Sequence, residues 1–471
     1  MNFRRSALLP LAMASLAAFA VGAPPAPAPV PAPATAAPAA TATSGTIAKP
    51  INAPFALLNA KLEFEPAVIM SITAGPKTPG EIVSRDASGT THTRPFAEIL
   101  AVVPGSWAEE SAAEVKPEPG GPRPAPVLEL TDGQRWPGFL TPDAPETSAS
   151  GSSAKPAEPP VRWTHERLGG LSVAIDSVGT YTSDREPFDT PDSAAPPSTP
   201  TGSDLVWLLN GDRILGVVDH LGRTVRITPR ERGSVPVEID AAQIVQVRLS
   251  NPPVAPAGPT VWLADGTVAR TAALSSPTRT QIRIDAARSE SGPSPADAST
   301  PGRTAGNVYS IADLLAFAPD ASRLVPLAGL AVDSFSPVKP LIYADPVRIL
   351  PPSGGVAPLG AADILLPGPM TARWRLPAGA GRICFAAALA DENTAWSQCV
   401  VRVLVGTPGA EAELARVELD RERRARNVNV DLAKARPGDG ILIAVEPGEH
   451  GPIQDSVVLR HALLLVNPAT K

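Results

Sequence analysis

Residues 205–249 read LVWLLNGDRILGVVDHLGRTVRITPRERGSVPVEIDAAQIVQVRL, one complete copy of a pattern of short strands. The first run alternates apolar and polar residues and ends at Asn210-Gly211, a pair whose tolerance of positive φ suits a two-residue hairpin. The polar tip 230–233 suits a second hairpin. The other strand-like runs are 214–218, 224–228, 235–239 and 244–249. The stretch therefore predicts a small all-β unit.

Three poorer copies of this pattern accompany the best-formed one, residues 204–251. They are residues 55–110, 127–183 and 259–320. The second and fourth copies carry low-complexity insertions, 141–160 and 286–302, between their early and closing strands. Because insertions are tolerated at exposed loop tips, we expect both to lie on corresponding faces of the repeat.

Pairs of Asp or Asn with Gly mark the first turn in three of the copies. The pairs are Asp132-Gly133, Asn210-Gly211 and Asp265-Gly266. They could belong to hairpin turns or to calcium loops. A calcium loop needs several oxygen ligands at close intervals, so the pairs predict turns and no metal site. Short units of this kind resemble the Sm-like or SH3-like small barrels.

Composition limits the number of domains and the kinds of partner. The 471 residues suit two or three modules, and 57 prolines with 37 glycines indicate folded pieces joined by loose ones. The net charge of -6 provides no basic stripe to neutralise phosphates, so no nucleic-acid partner is expected. No cofactor motif is present either, and we predict no cofactor.

The N-terminus has the pattern of an export signal. Residues 1–5 supply positive charge, and the apolar run that follows is too short and too Ala-rich for a comfortable membrane span. We predict a signal peptide over residues 1–23, with an uncleaved anchor as the alternative. Residues 24–54 are Pro/Ala-rich and predict a disordered tether. The mature chain would be periplasmic, on the cell surface or extracellular, without a transmembrane span.

The pattern of the chain changes near residue 325. Longer apolar runs appear, turned by Pro and Gly, and they predict an antiparallel β-sandwich over residues 325–471 that folds alone. The predicted strands are 371–376, 382–390, 399–405, 412–419, 427–432, 441–445 and 457–466.

Four stretches of this module resemble the NPCBM family of carbohydrate-binding modules. They are RWRLPAG (373–379), FAAALADE (385–392), VVRVLV (400–405) and DSVVL (455–459). The resemblance implies a galactose-binding-like jelly roll and a carbohydrate or cell-surface polymer as partner. The chain has no His in residues 364–370, and it has Leu459 where that family usually places Trp.

Trp396, Asp391 and Trp374 are the candidate ligand residues. An indole on a loop can stack on a sugar ring and a nearby carboxylate can accept its hydroxyls, which favours Trp396 and Asp391 in one loop. Trp374 lies within a strand, where a core position is the alternative. No residue cluster has the spacing of a catalytic or metal site, so we predict that the protein is not an enzyme.

The chain has two cysteines, Cys384 and Cys399. In an exported protein, and on strands that a short loop would fold into an antiparallel pair, they predict a disulfide. Two buried free thiols are the alternative, since Cys is often fully buried.

Two classes of function fit these observations. The first is an exported, non-catalytic binding protein, glycan-binding or surface-associated, that acts through its C-terminal jelly roll. The second is a structural or protein-interaction scaffold with no small-molecule site, which the repeats and the altered family motif favour.

Overall fold

The computed structural model describes most of the chain after the predicted tether. The described residues are 53–75, 78–108, 125–141, 160–185, 202–231, 233–286, 307–337, 346–352, 355–390, 397–436, 438–449, 451 and 455–467. The predicted signal peptide, nearly all of the tether and almost all of both insertions lie outside them.

Each predicted repeat is a unit of short antiparallel strands. The first has β1 Phe55–Asn59, β2 Phe64–Gly75, β3 Thr78–Arg85, β4 Thr91–Pro95 and β5 Ile99–Pro104. The second has β6 Val127–Leu130, β7 Arg135–Pro137, β8 Phe139–Leu140, β9 Val161–His165, β10 Gly169–Val173 and β11 Val178–Thr182. The third has β12 Asp204–Leu208, β13 Arg213–Leu221, β14 Thr224–Pro229, β15 Val237–Asp240 and β16 Ile244–Arg248. The fourth has β17 Thr260–Leu263, β18 Val268–Thr278, β19 Gln281–Ala286, β20 Asn307–Ser310 and β21 Leu314–Ala318.

A short 3-10 helix precedes the last strand of every repeat. These helices are Phe96–Glu98, Ile175–Ser177, Ala241–Gln243 and Ile311–Asp313. Other 3-10 helices among the described residues are Gly105–Ala108, Ala321–Arg323, Leu327–Gly329 and Pro358–Gly360. The predicted all-β architecture is confirmed for the described residues.

The first turn of each repeat uses the same local chemistry. A side-chain oxygen accepts a hydrogen bond from the backbone N–H two residues later. The pairs are Asn59–Lys61 at 2.8 Å, Asp132–Gln134 at 3.2 Å, Asn210–Asp212 at 3.1 Å and Asp265–Thr267 at 2.9 Å. Gly133, Gly211 and Gly266 have φ between 82° and 88°, the region that favours glycine. Turns form at all three predicted pairs, but Asn210-Gly211 does not form the predicted two-residue hairpin, because only Gly211 has positive φ and Leu208 N–H donates to Asp212 O at 2.9 Å across a three-residue loop.

The repeats associate in nested pairs. The last strands of the second and third repeats, β11 and β16, pair antiparallel with Tyr181 opposite Val247, and the two repeats share one apolar core. The first and fourth repeats share another core, with Phe317 of β21 opposite Val102 of β5. A bridge between Val268 and Arg135 joins the two pairs.

The two insertions do not occupy corresponding loops. Residues 142–159 lie between β8 and β9, which pair with each other, whereas 287–306 lie between β19 and β20, the position of residues 230–236 in the third repeat. The prediction of corresponding faces is therefore wrong. The second repeat splits its second strand into β7 and β8, so its insertion follows the second strand position instead of the third.

The C-terminal module is a sandwich of two antiparallel sheets. Its strands are β22 Leu324–Pro326, β23 Val332–Pro337, β24 Arg348–Ile349, β25 Ile364–Leu366, β26 Met370–Arg375, β27 Ala380–Leu389, β28 Cys399–Gly406, β29 Ala412–Leu419, β30 Ala425–Asp431, β31 Gly440–Pro447 and β32 Val457–Val466. One sheet has the order β24-β25-β32-β27-β30, with β22 also on β32, and the other has the order β23-β26-β31-β28-β29. All seven predicted strands are present.

A further set of buried residues joins the sandwich to the first and fourth repeats. Leu463 and Leu465 of β32 pack in one cluster with Leu58 of the first repeat and Trp262 of the fourth. The sandwich therefore has an inner core between its sheets and an outer core that it shares with the repeats. Within the described residues, no helix has the length and apolar character needed to cross a bilayer.

Candidate ligand-binding site

Trp374 belongs to the inner core of the sandwich. Its side chain is 1% exposed, and its strand β26 pairs with β31 on one side and β23 on the other. The indole lies among the apolar residues between the two sheets. Trp374 is therefore a core residue, the alternative that its position within a strand allowed, and the structure does not bring its indole to a ligand-accessible surface.

Trp396 and Asp391 lie outside the described residues, so both stay predictions. The residues that bracket them in sequence are anchored at one end of the sandwich. The Ala390 N–H donates to Ser456 O at 2.9 Å, and Gln398 O accepts from the Gly448 N–H at 2.7 Å.

Asp455 is the buried acid at this end of the sandwich. Its side chain is 1% exposed, and among the described residues neither carboxylate oxygen has a hydrogen-bond partner. Burial raises the pKa of Asp455 to about 6, because desolvation disfavours the charged form. The Gln398 N–H approaches and partly offsets this rise in pKa, but it does not reach hydrogen-bonding geometry.

Close backbone packing holds Asp455 in this position. A Cβ on Gly368 would clash with the Asp455 carbonyl, and a Cβ on Gly448 would clash with Gln398. Both glycines therefore permit an approach that a larger residue would prevent. In the sequence, Asp455 stands out only as the first residue of the DSVVL stretch and not as a site residue, because an acid before a strand is typical of a solvated loop.

Cys384 and Cys399 are both free and buried, so the predicted disulfide is wrong. The prediction assumed that β27 and β28 pair, but they lie in different sheets. Cys384 faces the outer core shared with the repeats, whereas Cys399 faces the inner core. Burial raises the pKa of each thiol to about 12, and for Cys399 the negative charge of Asp455 adds to the rise.

Arg373 and His165 are buried polar residues with structural partners. Arg373 binds Glu411 at 2.9 Å and donates to the carbonyl of Gly406. His165 Nε2 lies 2.8 Å from Thr267 Oγ1 and so links the second repeat to the fourth. Burial lowers the pKa of His165, which favours the neutral ring. Throughout the described stretches, no group of three or more His, Cys, Asp or Glu residues could hold a metal ion.

Neither a family model nor a curated protein matches the chain. Among solved structures, it is similar to the CBM51-2 and INT domains of Clostridium perfringens ZmpB, at 14% identity and a TM-score of 0.23, over 30% of this chain and 31% of that one. It is also similar to the CBM51 domain of Clostridium perfringens GH95 in complex with methyl-galactose, at 13% identity and a TM-score of 0.24, over 30% of this chain and 99% of that one. A third structure joins the M60 catalytic domain of ZmpB to two CBM51 domains, at 12% identity and a TM-score of 0.24, over 83% of this chain and 49% of that one. The chain spans about a third of the first of these structures, and the NPCBM resemblance stays a prediction.

Proposed function

We propose that the protein is an exported, non-catalytic carbohydrate-binding protein, and that its C-terminal sandwich holds the ligand at the end where Asp455 lies. The observation that carries the proposal is the buried carboxylate of Asp455, which has no hydrogen-bond donor in the described part of the chain. A buried acceptor without a donor is unfavourable by about 1–3 kcal/mol, and more when it is charged.

Sugar hydroxyls supply the donors that this carboxylate lacks. An ionised carboxylate only accepts hydrogen bonds, and two oxygens can accept from two neighbouring hydroxyls. With a pKa of about 6, Asp455 is mostly ionised at pH 7. Because the side chain is 1% exposed, binding also requires the surrounding residues to open.

The test is carbohydrate binding by the full chain across a broad glycan panel. Asp455→Asn should weaken binding at least tenfold, because the amide cannot accept at both positions. Trp396→Ala tests the predicted stacking residue in the same assay. Asp439→Asn is the matched control, since Asp439 is a buried acid of the same sandwich whose Oδ2 already accepts from the Arg436 N–H at 2.7 Å. Binding that is unchanged in Asp455→Asn would exclude this site.

Export rests on the signal-like pattern of residues 1–23. N-terminal sequencing of the protein from fractionated cells tests it, and the expected result is a mature chain that begins near residue 21 or 24. An intact Met1 in a cytoplasmic fraction would contradict export.

A scaffold is the second candidate function, and the outer core favours it. Leu463 and Leu465 of the sandwich are buried against the repeats, as expected for a module built into a larger rigid body. The same glycan panel separates the two proposals, because a folded chain that binds no glycan supports the scaffold.

A further inference from the structure

A cleft lies where the second repeat, the fourth repeat and the first residues of the sandwich meet. Its volume is about 170 Å³. Asp132 and Gln134 of the second repeat, Trp262 and Arg270 of the fourth, and Leu359 before β25 contribute to its wall. None of these residues belongs to the Asp455 end of the sandwich, so the cleft is a separate feature.

The polar part of the cleft is a cluster of three side chains from two repeats. Arg270 Nη2 lies 3.4 Å from Asp132 Oδ2, and Gln134 Nε2 donates to the same oxygen at 2.9 Å. Gln134 Oε1 accepts from the Arg270 backbone N–H at 3.0 Å. The cluster is neutral in total, because the carboxylate and the guanidinium balance. A guanidinium has five N–H donors, and this ion pair uses one nitrogen, so donor capacity remains for a ligand.

The rest of the wall is apolar. Trp262 and Leu324 are buried and line the cleft, and Pro326 lies beside them. Leu359 also lines it and has φ of 56°, a conformation that is unfavourable for a branched residue. Such backbone strain persists only where the surrounding structure fixes it, and it is frequent at ligand sites.

The volume and the chemistry together limit the ligand. An engineered protein cavity of about 150 Å³ accepts benzene, so a cleft of this size has room for one six-membered ring. A neutral polar cluster on one side and an indole with aliphatic side chains on the other suit a ring with hydroxyls on its edge and an apolar face. A pyranose has both properties.

We infer that the cleft binds one pyranose unit of a neutral carbohydrate. Its hydroxyls meet Asp132, Gln134 and Arg270, and its apolar face lies on Trp262. The ligand class rests on the proposed carbohydrate-binding function, whereas the site is independent of Asp455.

Saturation-transfer NMR on the full chain tests the inference, with the methyl glycosides of glucose, galactose, mannose and N-acetylglucosamine as probes. Arg270→Met removes the guanidinium and keeps an apolar stem. Ala257→Trp places a bulky ring at the rim, where Ala257 is exposed and lines the cleft. Each variant should weaken binding of the bound glycoside at least tenfold. Asn210→Ala is the matched control, because it alters the equivalent turn of the third repeat away from the cleft, and it should bind as the wild type does.

Asp455→Asn separates this inference from the proposed sandwich site. Binding that survives in Asp455→Asn and disappears in Ala257→Trp supports the cleft. Binding that disappears in Asp455→Asn and survives in Ala257→Trp overturns the cleft and leaves the sandwich site standing. Failure of every glycoside to bind the folded wild type overturns the cleft. If Arg270→Met does not melt cooperatively, Ala257→Trp decides, since an exposed position tolerates the change.

Discussion

The indole of Trp107 stacks on the imidazole of His461, with ring centroids 4.0 Å apart and ring planes inclined by 19°. Trp107 lies in the 3-10 helix at the end of the first repeat, and His461 lies in β32 of the sandwich. Nearby, Asn429 Nδ2 donates to the carbonyls of Lys61 at 2.9 Å and Leu62 at 3.0 Å. Ring stacking and hydrogen bonds thus join modules that are more than 300 residues apart in the chain.

Trp107→Ala should lower the free energy of unfolding by about 3–5 kcal/mol, the usual cost of removing a buried aromatic ring. Urea denaturation of the full chain measures it. Phe139→Ala is the control, because Phe139 is 61% exposed and its removal should change stability by no more than about 0.5 kcal/mol. Equal stability of the two variants would mean that the stack does not hold the modules together.

His461 should make stability fall in acid. Burial, and secondarily the charge of Arg460, lowers its pKa to about 3, whereas an unfolded histidine has a pKa near 6.5. Between these pKa values the unfolded state binds more protons than the folded state. Lowering the pH from 7 to 4 should therefore reduce the free energy of unfolding by on the order of 3 kcal/mol through His461 alone.

His461→Asn tests the source of this acid sensitivity. His461 has φ of 54°, which asparagine tolerates better than most residues, and the amide does not titrate. Urea midpoints between pH 4 and 7 should vary less in the variant than in the wild type. Identical pH profiles would assign the acid sensitivity to other groups.

Local chemistry in the sequence predicts most of the strands but not how they associate. The runs 412–419 and 457–466 coincide with β29 and β32, and Asn210-Gly211 lies in a turn, as predicted, although its loop has three residues instead of two. No local signal marks Phe317 as the partner of Val102, since strands of similar pattern can pair in several ways. The disulfide prediction was wrong for the same reason. It assumed that β27 and β28, which are adjacent in sequence, form a hairpin, but they lie in different sheets.

The two thiols should be unreactive in the native protein and reactive after unfolding. Cys384 and Cys399 are free and buried, and burial raises both pKa values to about 12, so little thiolate forms at neutral pH. A thiol reagent should detect about two groups per chain in denaturant without reductant, and almost none in its absence. If no thiol reacted in denaturant without reductant, the result would show that Cys384 and Cys399 form a disulfide after all.

Asp455→Asn should stabilise the protein at neutral pH. The pKa of Asp455 is raised from 3.8 to about 6, so the folded state binds more protons between these values and stability falls as pH rises through that window. Asparagine is neutral, like the protonated form of Asp455. The free energy of unfolding of the variant should therefore exceed that of the wild type by on the order of 2 kcal/mol at pH 7 and by almost nothing at pH 4. Asp439→Asn should be less stable than the wild type at pH 7, because Asp439 already has a donor. A loss of stability in Asp455→Asn would show that its carboxylate has a partner.

The chain should divide into one segment that folds alone and one that does not. Among the described residues, the core cluster of the second and third repeats lies between Leu128 and Leu249, so residues 125–251 carry this apolar core. The pattern of residues 325–471 predicted that the sandwich folds alone, but Leu463, Leu465 and Cys384 are buried against the repeats. Separated from them, the sandwich exposes these apolar residues and loses their burial, worth about 1.5–3 kcal/mol for each leucine. We expect residues 125–251 to melt cooperatively and residues 325–471 to bind a hydrophobic dye and aggregate. If isolated residues 325–471 melted cooperatively and bound no hydrophobic dye, the result would contradict a core shared with the repeats.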